Sequence, residues 1–379
     1  MSALDLLSGD AQTFLAKVWA SRVHLHRTDP QRLVGLLSFD DVDHLLTATA
    51  IRTPAIRLAR DGSVLPESSY TRSATLAGRP LTGLVDGRKV LKLFGDGATV
   101  VLQGLHRYWP PLGELVADLE VELGHPCQAN AYLTPPGAQG FSVHADSHDV
   151  FVFQTHGHKL WEVHTDDGVD EVLLEPGLSM YLPTGVRHAA RTQEVASLHV
   201  TLGINQLTWR GLVQRTLRPL LDEVDGDHLP AGYLDDPADL VVGLRRRLDE
   251  LAEQVRRLDA DAAVDREIER FLTTRNPRLR GGLRDVLTVA ELTDDSLLRR
   301  RAGRPCVLVD RDPKVRMLLG DRYLDGPAWI RLAVEAIRGA AGDFRPADLA
   351  ELLDPRSRLV LCRRLVREGL LELVERPKA

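Results

Sequence analysis

Cysteine is scarce: three in 379 residues, Cys127, Cys306 and Cys362, far apart and without CxxC spacing. This excludes a disulfide scaffold and a structural zinc cluster, and leaves the three as small buried apolar side chains. No run of 18 apolar residues occurs, so no membrane span is expected. Met1 to Arg27 carries Asp5, Asp10 and Lys17 within its apolar stretches and lacks the apolar core of a signal peptide. A cytoplasmic protein is therefore expected. Neither sign of charge dominates: the net charge is −6 and the isoelectric point about 6.1. With no basic excess, nucleic acid is not expected as the main partner. There is also no internal repeat and no low-complexity tract.

What remains is an ordinary globular composition, 44% hydrophobic and 27% charged, long enough for two or three domains. Residues 1–100 are mixed. Leu33 to Leu46 reads as short helical pieces with Ser38 or Asp40 as a cap, and Pro54 to Gly62 as a strand entering an Asp-Gly turn. Lys89 to Leu105 reads either as a strand pair around Gly95-Asp96-Gly97 or as helix, turn and strand. Residues 109–123 form a helix opened by Pro110-Pro111.

From 128 to 205 short alternating strands are separated by glycine and proline: Gln128–Leu133, Val150–Gln154, Lys159–His164, Asp170–Leu174, Ser179–Leu182 and Ser197–Ile204. Close spacing of this kind suggests a barrel or jelly roll. From 209 to 275 the chain turns helical and charged. Val241, Leu244, Leu248, Leu251, Val255 and Leu258 alternate spacings of three and four, either a helix packed on its own domain or a dimer seam. In 280–379, strand-like Cys306 to Val309 precedes expected helices at Pro327–Gly339, Pro346–Leu353 and Pro355–Glu368, then a closing strand in "GLLELVERP". Three helices and a β ribbon resemble a winged helix. The last helix carries Arg356, Arg358, Arg363, Arg364 and Arg367, which could enter a DNA groove. Asp354, Glu368, Glu372 and Glu375 dilute that charge, and Leu359, Val360, Leu361, Leu365 and Val366 read as its packed face.

The chemistry-bearing residues are His144-Ala145-Asp146 and, 42 positions beyond Asp146, His188. Two imidazoles and a carboxylate on one face of a mid-row divalent ion leave its other positions open, the arrangement of non-haem Fe(II) oxygenases. In an extended segment one intervening residue puts His144 and Asp146 on the same side. Spacing alone also admits two surface histidines and a turn carboxylate. A second HxD, His164-Thr165-Asp166, competes, but Lys159, Trp161 and Val163 share one strand face and His164 takes the other. Neighbouring strands tilt the balance. Asn130, Tyr132 and Thr134 share a polar face, as do Ser197, His199 and Thr201, with Leu198, Val200, Leu202 and Ile204 opposite. A polar inward face costs free energy unless it serves a site or is fully hydrogen-bonded. Lys159, between apolar neighbours, is expected to meet a carboxylate.

The stretches "NAYLTPPGAQGFSVHADSHDVFVFQTHGHKLWEV", "PGLSMYLPTGVRHAA" and "SLHVTLG" resemble the JmjC-type cupin-fold ribosomal oxygenases, Fe(II)- and 2-oxoglutarate-dependent protein hydroxylases. The resemblance implies an α+β fold. A double-stranded β-helix (jelly-roll, cupin, JmjC) core would occupy 1–208, a helical dimerisation region 209–278 and a winged-helix-like domain 279–379. It implies His144, Asp146 and His188 as iron ligands and Lys159, 15 positions after His144, as the partner of the 5-carboxylate of 2-oxoglutarate. Asn130 and Tyr132 would line the cosubstrate pocket, with His199 or Thr201 lining it from the last strand. O2 would take the remaining metal position. Ala145 stands where relatives often have an aromatic residue, which implies a wider mouth. The expected partners are a protein substrate, ribosomal in the first instance, and a second copy of the chain. Three functions stay open: hydroxylation of a histidine or arginine of a ribosomal or other translation protein, the same chemistry on a peptide or small natural product, and a non-enzymatic cupin sensor joined to a DNA-binding winged helix.

Overall fold

The computed structural model describes residues 2–138, 142–166, 168–192 and 194–374. Contacts divide the chain into two compact units, Met1–Gln206 and Leu207–Ala379. In the first, helices α1 (Ala3–Ser8), α2 (Ala11–Lys17), α3 (Pro30–Val34), α4 (Phe39–Thr47), α5 (Gly87–Gly95) and α6 (Pro110–Leu123) accompany fourteen described strands. The strands of the amino-terminal half are β1 (His24–Arg27), β2 (Ile56–Arg60), β3 (Ser63–Val64), β4 (Thr71–Leu76), β5 (Arg79–Val85) and β6 (Thr99–Leu102). The rest are β7 (Cys127–Thr134), β8 (His144–Ala145), β9 (Asp149–His156), β10 (Lys159–Thr165), β11 (Gly168–Leu174), β12 (Leu178–Leu182), β13 (Arg187–Thr192) and β14 (Ser197–Ile204).

Local chemistry accounts for the boundaries. Ser38 caps α4, accepting from Asp41 N while the Asp41 carboxylate accepts from Ser38 N. Pro110 starts α6, and Gly124 ends it in the left-handed region at φ 70°. Lys89 to Leu105 resolves as helix, turn and strand. No described helix is long and apolar enough to cross a membrane, and all three cysteines are free and buried.

Two antiparallel sheets face each other. The larger runs β1-β12-β9-β14-β7-β6-β2-β3 and the smaller β11-β10-β13-β8. Period-two alternation gives the large sheet two uses. Ile56, Leu58, Val100, Leu102, Ala131, Leu133, Leu198, Val200 and Leu202 pack against Leu4, Leu7, Phe14, Leu33, Val42 and Leu112 of the helices and Leu37 between α3 and α4. At about 1.5–3 kcal/mol per fully buried large apolar side chain, this is the main core of the unit. The opposite face packs Val150, Val152, Met180 and Leu182 against Trp161, Val163 and Leu174 of the small sheet. Together these elements make a two-sheet jelly-roll core in an α+β chain.

The second unit holds α7 (Trp209–Asp222), α8 (Ala238–Arg256), α9 (Ala260–Phe271) and α10 (Gly282–Thr288), then α11 (Arg331–Gly339) and α12 (Pro355–Arg367). Its strands are β15 (Leu298–Arg300), β16 (Val307–Arg311), β17 (Lys314–Leu318), β18 (Tyr323–Pro327) and β19 (Leu371–Leu373). The carboxy-terminal expectations need correction. Strand-like Cys306–Val309 is the first of a three-stranded meander, β16-β17-β18, so the helix expected from Pro327 begins at Arg331. Val315 and Met317 are buried in its middle strand, an alternation that the charges of Lys314 and Arg316 obscured. The helix expected at Pro346–Leu353 is a short 3-10 turn, Pro346–Leu349. Asp354 is already committed to capping α12, where it accepts from Arg356 N and Ser357 N. On α12, Leu361, Leu365 and Val366 are buried as expected, whereas Val360 points outward. Arg358 pairs with Asp294, and Arg364 with Glu368. Glu375, counted among the diluting acids, and the end of the closing segment lie outside the described residues.

Candidate metal centre

The small sheet brings the distal histidine to the HxD motif. In the antiparallel pair β13–β8, His188 sits directly opposite His144 and Arg187 opposite Ala145. Their rings lie 4.5 Å apart between centroids, and Asp146 Oδ2 is 3.7 Å from His188 Nε2. One ligand atom each of His144, Asp146 and His188 falls within 4.8 Å of the others. His144 is exposed, Asp146 half-buried and His188 buried, which suits an ion reached from one side.

Each imidazole is held by a backbone carbonyl two residues earlier. His144 Nδ1 lies 2.8 Å from Ser142 O and His188 Nδ1 3.0 Å from Val186 O. A carbonyl only accepts, so Nδ1 carries the proton in both rings and Nε2 is left with its lone pair for a metal. Burial also pushes the His188 pKa down; the bond to Val186 O opposes this, His144 adds to it and Asp146 opposes it, and the net direction favours the neutral ring that a metal would need. Donor type and tautomer both fit a divalent ion. The competing His164 is half-buried on the outward face of β10 and takes no part in the cluster.

Asp149, which sequence reasoning missed, secures the turn before His188. Its buried carboxylate accepts from Tyr181 Oη through one oxygen, and from Thr184 N and Oγ1, both at 2.7 Å, through the other. Tyr181 Oη in turn accepts from Ala20 N. Gly185, at φ 86°, closes the turn and donates its N–H to Asp146 O at 3.1 Å. Any other residue would be strained in that backbone conformation. The available signal was an aspartate opening the apolar run Asp149–Phe153.

Behind the triad a cavity of about 80 Å³ is walled by Tyr132, His199 and Thr201 of the large sheet and by Lys159, Trp161 and Ala190 of the small one. Val150 and Val152 line it as well, and Thr99 and Thr134 are the remaining hydroxyls. Tyr132 and His199, paired in register, stack with centroids 4.8 Å apart and 6° between planes. Burial, and then Lys159, push the His199 pKa far down, so this ring is neutral. Lys159 Nζ, 3% exposed, donates to Thr134 Oγ1 at 3.1 Å, and Thr99 Oγ1 lies 3.2 Å from the same oxygen. No described carboxylate of the protein pairs with Lys159. Burial alone brings its pKa from 10.5 to about 7. A buried ammonium facing a polar cavity without a protein anion is chemically prepared for an anionic ligand. Asn130 is not brought to the cavity: its Oδ1 accepts from Gly104 N at 3.0 Å and so ties down the turn after β6. Thr99 had no sequence signal, because only the pairing of β6 with β7 sets it beside Thr134.

The chain is similar to several known proteins. The JmjC domain profile matches residues 114–168 and 164–212. The bifunctional lysine-specific demethylase and histidyl-hydroxylase NO66 of Culex quinquefasciatus is 28% identical over 244 residues, 57% of this chain and 36% of that protein. Human ribosomal oxygenase 1 is 29% identical over 232 residues, 54% of this chain and 34% of that protein. Residues 114–212 thus match a JmjC domain, and the chain is similar to ribosomal oxygenases over little more than half its length. The matched stretch spans only about a third of the length of these curated relatives. Among solved structures, the Escherichia coli ribosomal oxygenase YcfD aligns over 97% of this chain and 99% of its own, with TM-score 0.55 and 18% identity. The fold is therefore shared along both units. YcfD has also been solved in complex with cobalt and 2-oxoglutarate, at TM-score 0.53 and 18% identity.

Proposed function

We propose that this chain is an Fe(II)- and 2-oxoglutarate-dependent dioxygenase that hydroxylates a protein side chain, a histidine or arginine of a ribosomal protein. The observation that carries the proposal is the pairing of an open His144–Asp146–His188 face with a buried ammonium, Lys159, across one cavity. His144, Asp146 and His188 would hold the iron. Lys159 would take the far carboxylate of 2-oxoglutarate, with Tyr132, His199 and Thr201 along its length. The binding of that anion would give Lys159 the counter-charge that the protein does not supply. Val150, Val152, Trp161 and Ala190 would keep the pocket dry and the cosubstrate oriented. Bound iron with 2-oxoglutarate would supply the activation of O2 that hydroxylation requires. The names of the mosquito and human relatives support a histidyl or ribosomal target for such a hydroxylation.

On the same footing we assign 1–208 to catalysis, 209–278 to dimerisation and 279–379 to a winged-helix-like module, in a cytoplasmic homodimer. The face expected to form a seam supports the dimer: Val241, Leu244, Leu248 and Val255 are 40–55% exposed in the single chain. Pairing of the α12 arginines with Asp294 and Glu368 weighs against a DNA role.

Anaerobic addition of Fe(II) and 2-oxoglutarate should give a metal-to-ligand charge-transfer band that Asp146→Ala abolishes. A band that survives this substitution would refute the assigned ligand set. Mass spectrometry of ribosomal proteins from cells lacking the chain should then show one protein lighter by one oxygen atom. Unchanged masses would redirect the search to peptides or small molecules.

A further inference from the structure

The second strand contributes a residue to this site that neither motif nor spacing marks. Hydrogen-bonded register carries one row across the large sheet: Arg57 on β2 faces Val101 on β6, Val101 faces Tyr132 on β7, and Tyr132 faces His199 on β14. Directly paired residues point to the same side of a sheet. The flanking Ile56 and Leu58 are buried against the helices, so Arg57 extends toward the cavity side. There its half-buried guanidinium reaches past Val101 and hydrogen-bonds the Tyr132 hydroxyl.

A guanidinium has only donors. In this bond the phenolic oxygen must accept, and the hydroxyl proton is left to be given elsewhere. Tyr132 itself lines the cavity, alongside Asp146 and Lys159. Burial raises the Tyr132 pKa, with Arg57 opposing and Asp146 reinforcing, so the phenol stays protonated and remains a donor. Arg57, always charged, also adds a fixed positive potential on the side of the cavity away from β10.

We propose that Arg57 is a positioning residue for the anionic cosubstrate: by donating into the Tyr132 oxygen it turns the Tyr132 O–H toward an oxygen of the dicarboxylate held between the metal triad and Lys159. The inference rests on the 2-oxoglutarate reading above and deepens it. On this account Arg57 and Tyr132 act as one unit, and removing either removes the same contact.

The test is a double-mutant cycle on the full chain: wild type, Arg57→Met, Tyr132→Phe and the double variant. Each is loaded anaerobically with Fe(II) and titrated with 2-oxoglutarate by the charge-transfer band, which reports binding without turnover. Arg57→Met should raise the cosubstrate Kd about five- to tenfold, a typical value for one buried hydrogen bond. Fe(II) affinity without cosubstrate should change less than about twofold, and Arg57→Lys should recover part of the loss. The double variant should bind no worse than Tyr132→Phe alone, since coupled residues are non-additive. An additive cycle, or an unchanged Kd for Arg57→Met, overturns the inference. If Arg57→Met does not fold by circular dichroism, Arg57→Leu, which also lacks a donor, takes its place in the cycle with the same criterion. A wild type with no 2-oxoglutarate-dependent band refutes the cosubstrate reading itself, and the inference falls with it. A normal wild-type band with an additive cycle refutes the inference alone.

Discussion

Lys159 should be a liability to the empty protein, and the size of that liability can be worked out. Its ammonium is 3% exposed and holds one hydrogen bond, to Thr134 Oγ1, so burial lowers its pKa from 10.5 to about 7. A pKa lowered by folding means that the unfolded chain binds the proton more tightly. The penalty is therefore complete below pH 7 and is lost as pH rises from 7 to 10.5. Linkage gives roughly 4 kcal/mol against the folded state at pH 7 and roughly 2 kcal/mol at pH 9. Lys159→Met keeps the length of the side chain and removes the charge. It forfeits the hydrogen bond to Thr134, worth about 1 kcal/mol, while Thr134 retains Thr99. The variant should thus be more stable than wild type by roughly 3 kcal/mol at pH 7 and by roughly 1 kcal/mol at pH 9. Urea denaturation of the metal-free proteins at the two pH values measures this. Saturating metal and 2-oxoglutarate should then stabilise wild type more than the variant, which keeps the metal set but gains no ion pair with the cosubstrate. A destabilised variant, or a gain that does not shrink between pH 7 and pH 9, would refute the reasoning.

Asp149→Ala removes the acceptor for Tyr181 and Thr184 and leaves buried donors without a partner. It should cost about 3 kcal/mol in denaturation and weaken metal binding by loosening the turn before His188. Metal affinity equal to wild type would separate Asp149 from the site. On α8, charged substitution of Leu248 and Leu251 should yield monomers if the apolar face is intermolecular. An unchanged mass in light scattering would reject that role.

Much of the site was legible because its signals are local. A period of two assigns Ser197, His199 and Thr201 to one face of β14 and Leu198, Val200 and Leu202 to the other. The same parity separated Lys159 from His164. Caps and turns were readable for the same reason: Ser38, Pro110 and the Asp61-Gly62 turn act within four residues. The errors were also physical. Asn130 shares a strand face with Tyr132, but its Oδ1 is taken up by Gly104 N, a partner 26 residues away. The strands β17 and β18 were missed because charged residues interrupt their apolar alternation.

Sequence alone determined the ligand types, the spacing that puts His144 and Asp146 on one side of an extended segment, and the buried or polar face of each strand. These are properties of a backbone repeat and a few neighbouring residues. Only the tertiary structure decided that His188 lies opposite His144, that Lys159 donates to Thr134, and that Thr99 and Arg57, from strands far upstream, stand beside Thr134 and Tyr132. Those contacts depend on which strand pairs with which and in what register. That choice is made by the packing of the whole sheet, and no local stretch of sequence contains it.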